Sequence, residues 1–384
     1  MDNDNPFEGI PFFGDFEKLF GGGGQDHWST AKQIAVQMAA GEEGDSNVDP
    51  SHRIALEELS RVAQLHVSDA TGLESRNATV VPVTRTEWAH ATIEAYQPLF
   101  EELNASLGKS SRNEIESSDP MGAMFGQMMQ FLGPMMLAMT AGSMVGHLAQ
   151  RALGQYDLPI PREQDAQVRI ITRNVETFGK EWSLPSEELL LWVCLSEITY
   201  YTVFQLDHIR KRFSDLLMEY VGAFESNPSG LEEKLQQIDM TSPSAIEDLQ
   251  KSLGSPEVIL GAMQSEEQKF ILPELEATTA VIVGYVDHVM DSVGKGLIGS
   301  YEQITEAMRR QRVEADPSDR FIERLLGLEL TQAQVDRGTN FVNGVLERAD
   351  TAGLGRLWED SKNFPTPNEV DAPGLWLARL DILD

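Results

Sequence analysis

Cysteine and basic residues are scarce in this chain of 384 residues, and both scarcities exclude classes of function. The single cysteine, Cys194, provides no disulfide framework, which fits a reducing compartment and predicts a cytoplasmic protein. Lysine and arginine together number 30 against 61 acidic residues, so the formal net charge is −31. Such a charge repels nucleic acids and anionic membranes, and we expect neither as a partner.

Several common catalytic motifs are also missing from the sequence. There is no P-loop, no C-x-x-C pair and no G-x-S-x-G elbow, so the corresponding nucleotide, redox and serine-hydrolase chemistries are not indicated. No two histidines are separated by four residues, the spacing that places two imidazoles on one helix face. Cys194 has no activating base nearby in the sequence, and we interpret it as a small buried hydrophobic residue.

Charged residues are absent from one long segment, residues 121–150. Its length is sufficient for a membrane span, so a membrane-associated protein is one alternative interpretation. Polar Gln127 and His147 and a Gly133-Pro134 break lower its hydrophobicity, however. We therefore interpret the segment as a broken pair of buried helices and expect no membrane insertion.

Helical periodicity dominates the remainder of the chain, and an all-α fold with at most a minor strand element is predicted. We predict three regions: a flexible arm rich in Phe and Gly over residues 1–28, an N-terminal helical region over residues 29–120, and a larger helical domain over residues 121–384. The sequence Thr79–Val83 is the one short strand that is predicted, because most of its residues are β-branched. A helix is predicted near Glu163–Glu181.

The most informative segment is the apolar helical stretch from Leu190 to Tyr201, which contains a single acid, Glu197, where an acid is costly to bury. Ser196-Glu197-Ile198-Thr199-Tyr200 has the frame of H-E-x-x-H, in which two histidines one turn apart bind Zn²⁺ while the glutamate activates a water. Here Ser196 and Tyr200 occupy the two histidine positions. Neutral hydroxyl and phenol groups bind zinc poorly in comparison with imidazole.

Three segments in order resemble the zincin-like metallopeptidase type 2 family, which consists mostly of actinobacterial proteins described as zinc-dependent metalloproteases or associated with coenzyme F420 biosynthesis. The segments are Gly154-Gln-Tyr-Asp-Leu-Pro, Leu191-Trp-Val-Cys-Leu-Ser-Glu-Ile-Thr-Tyr and Gly284-Tyr-Val-Asp-His-Val-Met-Asp291. The C-terminal Ala372-Pro-Gly-Leu-Trp-Leu-Ala-Arg379 agrees as well. The similarity extends over about residues 120–384 and implies a zincin-like helical architecture with a buried motif helix.

The resemblance implies a role for four positions. It places the first zinc ligand at Ser196, the general base at Glu197, the second ligand at Tyr200 and the third ligand at Val283. A catalytic zinc requires about three protein ligands, and without the metal the pKa of water is not lowered toward neutrality. We therefore expect that zinc binding has been lost, that no other cofactor replaces it, and that Glu197 is a vestigial base.

A pseudoenzyme that binds an unidentified protein or peptide is the function we expect. Tyr201, Asp287 and His288 are expected to line the vestigial cleft, and Glu197 to bond to a hydroxyl of Thr199, Tyr200 or Tyr201. The alternative is an active metal-dependent hydrolase with non-standard ligands. Its ligand set would be Glu197, either Asp287 or Asp291, and His288.

Overall fold

The computed structural model describes residues 27–42, 44–75, 78–115, 135, 137–162, 167–224, 265–313 and 317–383. Within these ranges the chain is almost entirely helical with two short strands, which is the fold class predicted from the sequence. The predicted N-terminal arm lies outside the described residues apart from its last two positions. The predicted domain boundary at residue 120 also lies outside them.

The first helices are α1 (His27–Ala40), α2 (Pro50–Thr71), α3 (Arg85–Ile115) and α4 (residues 137–149). Glycines allow α4 to pack closely against α1, because a Cβ atom at Gly142 would lie 2.5 Å from the Ala31 carbonyl oxygen. At Gly146 it would lie 2.7 Å from the Ala35 oxygen. The described part of the charge-free segment is thus a helix in contact with a neighbouring helix. The first half of the predicted helix pair and the break at residues 133–134 lie outside the described residues.

A two-stranded parallel sheet joins distant parts of the chain. Strand β1 (Thr79–Val83) pairs with β2 (Gln167–Ile171), and Thr79 lies opposite Gln167. The prediction of a helix near residues 163–181 is wrong for the residues of β2, because α5 begins only at Thr172. Alternate residues of β2 are buried, and pairing with β1 outweighs the local helical preference of the flanking sequence.

The remaining helices are α5 (Thr172–Glu181), α6 (Ser186–Phe204), α7 (Asp207–Gly222), α8 (Glu266–Leu297), α9 (Tyr301–Val313), α10 (Pro317–Leu325), α11 (Gln332–Gly355), α12 (Pro367–Asp371) and α13 (Pro373–Leu383), with 3₁₀ turns at Arg356–Trp358 and Ser361–Asn363. Helix α6 lies at the centre. Its residues from Leu189 onward are all buried except Leu191 and Ser196, because α2, α5, α7 and α8 all contact it. This arrangement explains why α6 is apolar around its whole circumference.

Helices α8 and α11 cross at two glycines. A Cβ atom at Gly338 would lie 1.8 Å from the Ala280 carbonyl oxygen, and one at Gly284 would lie 2.3 Å from the Gly338 carbonyl carbon. A Cβ atom cannot lie this close to backbone atoms, so the crossing requires glycine at both positions. The crossing fixes the separation of the two helices that form walls of the cleft described below.

A membrane span was an alternative raised by the sequence. No single helix among the described residues combines the length and apolar content that a span requires. Helices α6 and α7 satisfy that requirement only when taken together, and they meet at an angle of 90°. Of the charge-free segment itself, the structure describes only residue 135 and residues 137–150.

Candidate functional site

Glu197 lies on α6 and is 5% exposed. Its Oε2 atom accepts hydrogen bonds from the backbone N–H groups of Gln155, at 2.8 Å, and Tyr156, at 3.1 Å. The approach is close because Gly154 has no side chain: a Cβ atom there would lie 2.3 Å from Cδ of Glu197. The segment 154–156 is therefore shaped to hold this carboxyl group.

Contacts with β2 and α3 fix the loop that holds Glu197. Gly154 forms an isolated antiparallel bridge with Ile170 of β2, and its carbonyl oxygen accepts a 2.9 Å hydrogen bond from Nε1 of Trp88. Asp157 closes the loop, since its Oδ1 atom accepts from the backbone N–H of Leu153 at 3.0 Å. The strand that was not predicted from the sequence thus positions the loop.

The environment of Glu197 favours its neutral form. Burial, and secondarily the nearby Asp157 carboxylate, raise the pKa of Glu197 to about 8, although the two N–H donors act in the opposite direction. Burial also raises the pKa of Asp157. Glu197 is therefore mostly protonated at neutral pH. A general base has to be ionised to accept a proton, so only the minor ionised fraction of Glu197 could act as a base at neutral pH.

The two positions that flank Glu197 in the motif differ in their surroundings. Tyr200 is buried, and its ring stacks on Tyr156 at a centroid distance of 5.8 Å and on Phe204 at 6.4 Å. Burial raises the pKa of Tyr200 above its usual range, so the phenol stays neutral. Ser196 is partly buried, and with Glu197 and Tyr200 it lines a cavity of about 90 Å³.

The hydroxyl partners expected for Glu197 are not the ones observed. Within the described ranges, its hydrogen bonds come only from the backbone of Gln155 and Tyr156. The Thr199 hydroxyl donates instead to the Leu195 carbonyl oxygen at 2.7 Å. Backbone donors have no residue-type signature, and Gly154 was the only sequence signal for the close approach.

A larger cavity of about 500 Å³ adjoins the small one. Walls from α8, α9 and α11 surround it, and Trp192, Met308, Arg312, Glu323 and Leu330 line both cavities. We call the two cavities together the cleft. Its position next to Glu197 makes it the candidate binding site.

The other candidate residues from the sequence lie in different places. Asp287 and His288 line the larger cavity of the cleft. Tyr201 and Val283 are buried, and neither lines the cleft. Asp291 also lines the larger cavity, where its carboxylate accepts a 2.9 Å hydrogen bond from the Tyr301 hydroxyl.

Electrostatic effects differ between the acidic and basic groups of the larger cavity. Burial raises the pKa of Asp287, and the positive charge of Arg312 partly offsets that effect. Burial also lowers the pKa of His288, against the influence of the Asp291 carboxylate. Burial thus shifts the titration of Asp287 and of His288 toward the neutral form of each group. Arg312, which the sequence did not single out, also acts on Asp157 and Tyr200 and so connects the two cavities.

Comparison with protein families matches residues 27–377 to the zincin-like metallopeptidases. The chain belongs to this family. A crystal structure from Chloroflexus aurantiacus, described provisionally as that of a hydrolase with a novel fold, is similar with a TM-score of 0.60 and 23% sequence identity. The match covers 92% of this zincin-like chain and 98% of the other, and it bears on the fold alone. A search of curated proteins finds no match.

Zinc is the metal that membership of the zincin-like family implies, but the residues at the motif do not fit it. Ser196 and the buried, neutral Tyr200 stand at the two histidine positions, and Val283 is apolar. In the part of the chain that the structure describes, no three His, Cys, Asp or Glu side chains form a group that could hold a metal ion. The alternative set of Glu197, Asp287 or Asp291, and His288 is therefore not assembled.

Proposed function

We propose that this zincin-like protein has no zinc-dependent peptidase activity and binds a peptide or protein segment in its cleft. The proposal rests on two features of α6, the helix that carries Glu197 and Tyr200. A stacked tyrosine, Tyr200, fills the second ligand position, and Glu197 is held by backbone N–H groups as a mainly neutral acid. An unactivated water leaves most of the barrier to amide hydrolysis in place.

The size and lining of the cleft support the binding part of the proposal. Its larger cavity of about 500 Å³ lies within the range of about 300–1,000 Å³ that is typical of ligand sites. Apolar side chains such as Met290 and Leu330 line it together with charged ones such as Arg309 and Asp336. A peptide presents the same mixture of apolar and charged groups.

Filling the cleft tests this function. Val335 lines the larger cavity and is partly exposed, so Val335→Trp should occupy the cleft while leaving the fold intact. Ala333 is exposed on the same helix outside the lining and provides the matched control, Ala333→Trp. We expect binding of a fluorescently labelled pool of random octapeptides, measured by anisotropy, to weaken by about tenfold or more only in Val335→Trp.

Two results would contradict the proposal. Equal binding of the peptide pool by the two tryptophan variants would show that the cleft is not the binding site. Shortening of the peptides by the wild-type protein, detected by mass spectrometry and lost in Glu197→Gln, would instead support the hydrolase alternative.

A further inference from the structure

Three polar side chains follow one another along the face of α6 that borders the small cavity of the cleft. Trp192, Ser196 and Tyr200 are spaced four residues apart, and all three line this cavity. Residues at this spacing lie on one helix face, about 6 Å apart along the axis. A group that is bound in the small cavity therefore meets this row of polar side chains.

The Tyr200 hydroxyl has room for a ligand partner. The residue is 5% exposed, and it lines the small cavity. Arg312 and Asp287 act on the phenol through their charges, but the hydroxyl forms no hydrogen bond with any residue that the structure describes. Because a buried hydroxyl without a partner is unfavourable, a ligand that displaces water from it has to supply a hydrogen bond.

Ser196 and Trp192 add two further donors in the same condition. Two other hydroxyls of α6, those of Thr199 and Thr202, each donate at 2.7 Å to the carbonyl oxygen one turn earlier. The Ser196 hydroxyl forms no such bond within the described ranges, and the Nε1 atom of Trp192 is enclosed there without an acceptor. The small cavity is thus bordered by polar groups whose hydrogen-bonding capacity is unused.

The charges around the small cavity favour a neutral ligand group. Its lining includes two arginines, Arg151 and Arg312, and two acids, Asp157 and Glu323, in addition to the mainly neutral Glu197. Each of these four charged residues has a partner within the protein, and both arginines act on Asp157. A charged ligand group would disturb this balance at a high cost of desolvation, whereas a neutral polar group has a smaller cost.

The size of the small cavity restricts the ligand group further. Its volume of about 90 Å³ corresponds to about three water molecules at about 30 Å³ each. A carboxamide group has three non-hydrogen atoms, and it both accepts and donates hydrogen bonds, as hydroxyl groups also do. The adjoining cavity of about 500 Å³ accommodates neighbouring residues of a peptide.

We infer that the small cavity is a subsite for a glutamine or asparagine side chain of the bound peptide. This inference rests on the peptide binding proposed above and adds a preference for one class of residue. The Ser196 and Tyr200 hydroxyls exchange hydrogen bonds with the carboxamide, whose oxygen also brings an acceptor to the part of the cavity that Trp192 lines. A glutamate side chain brings a charge and no N–H donor, and a leucine side chain leaves both hydroxyls unpaired.

Fluorescently labelled octapeptide pools that are random except for one fixed central residue test this preference. The fixed residue is Gln, Asn, Glu or Leu, and binding to the full-length protein is measured by anisotropy. We expect the tighter of the two carboxamide pools to bind at least about fivefold more tightly than the Glu and Leu pools, which is the effect of one or two neutral hydrogen bonds.

The double variant Ser196→Ala, Tyr200→Phe tests the two hydroxyls, and it should bind the carboxamide and Leu pools with equal affinity. Ser196→Ala alone serves in case the double variant fails to fold, and it should lower the preference about twofold or more. Ser292→Ala, at an exposed serine on α8 that does not line the cleft, should leave the preference unchanged.

The outcomes separate this inference from the proposed function. Equal affinity of the wild type for the four pools, together with weaker binding of each pool by Val335→Trp, would overturn the inference and leave peptide binding in the cleft intact. A preference for the Glu pool, or a full carboxamide preference in the folded variants, would overturn it as well. If no pool bound to the wild type, both the inference and the proposed function would be wrong.

Discussion

Gly338→Ala is expected to destabilise this protein more than alanine at any other glycine of the described residues. The added Cβ atom would lie 1.8 Å from the Ala280 carbonyl oxygen, which belongs to the backbone of α8. No side-chain rotation relieves a contact with backbone, so α8 and α11 have to move apart. Overpacking costs about 1–3 kcal/mol when side chains can adjust, and here we expect a loss of at least about 3 kcal/mol in the free energy of unfolding.

Urea denaturation followed by circular dichroism measures this loss. Gly296→Ala provides the matched control, because Gly296 lies on α8 and a Cβ atom added there would have no neighbour within 4 Å. That change should leave stability unchanged or raise it by about 0.5–1 kcal/mol, the usual gain from alanine in a helix. Equal urea midpoints for Gly338→Ala and the wild type would show that the helices do not cross at these glycines.

Glu197→Gln is expected to make the protein more stable than the wild type at pH 8. The native pKa of Glu197 is raised to about 8 from the ordinary value of 4.5. Between these values the native state binds a proton that the unfolded state does not, so wild-type stability falls as the pH rises. The fall is roughly 3–5 kcal/mol over this window. A neutral glutamine at the same place does not titrate and lacks this dependence.

The difference in the free energy of unfolding between Glu197→Gln and the wild type should therefore be small near pH 5 and largest near pH 8. Glu187, exposed in the first turn of the same helix, provides the control variant Glu187→Gln, which should follow the wild type. The free energy of unfolding at a series of pH values checks this expectation. If the free energies of unfolding of Glu197→Gln and of the wild type changed with pH in parallel, the pKa of Glu197 would not be raised in the native state.

The helical architecture could be predicted from the sequence because burial determines its pattern directly. Helix α6 is apolar on every side, and this composition correctly indicated a central helix. Strand β1 was predicted as well, but its partner β2 was assigned to a helix. The partner is about 90 residues away in the chain, and its five residues carry too short an alternation to reveal a parallel pairing.

The site was predictable only in part, for a similar reason. The sequence indicated a buried acid at Glu197, and it pointed to Asp287 and His288, which line the cleft. It did not reveal that two backbone N–H groups hold Glu197, because such donors belong to every residue type except proline. Nor did it reveal Arg312, whose position between the cavities depends on how α9 packs.

Zinc content, determined by elemental analysis after equilibration with zinc and dialysis, tests the central claim most directly. The informative comparison is between the wild type and the variant Ser196→His, Tyr200→His, Val283→Glu, which restores the ligand types that the family resemblance implies. We expect less than about a tenth of an equivalent in the wild type and about one equivalent in the folded variant. A folded variant without zinc would contradict the assignment of Val283. Near one equivalent in the wild type would contradict the loss of zinc binding itself.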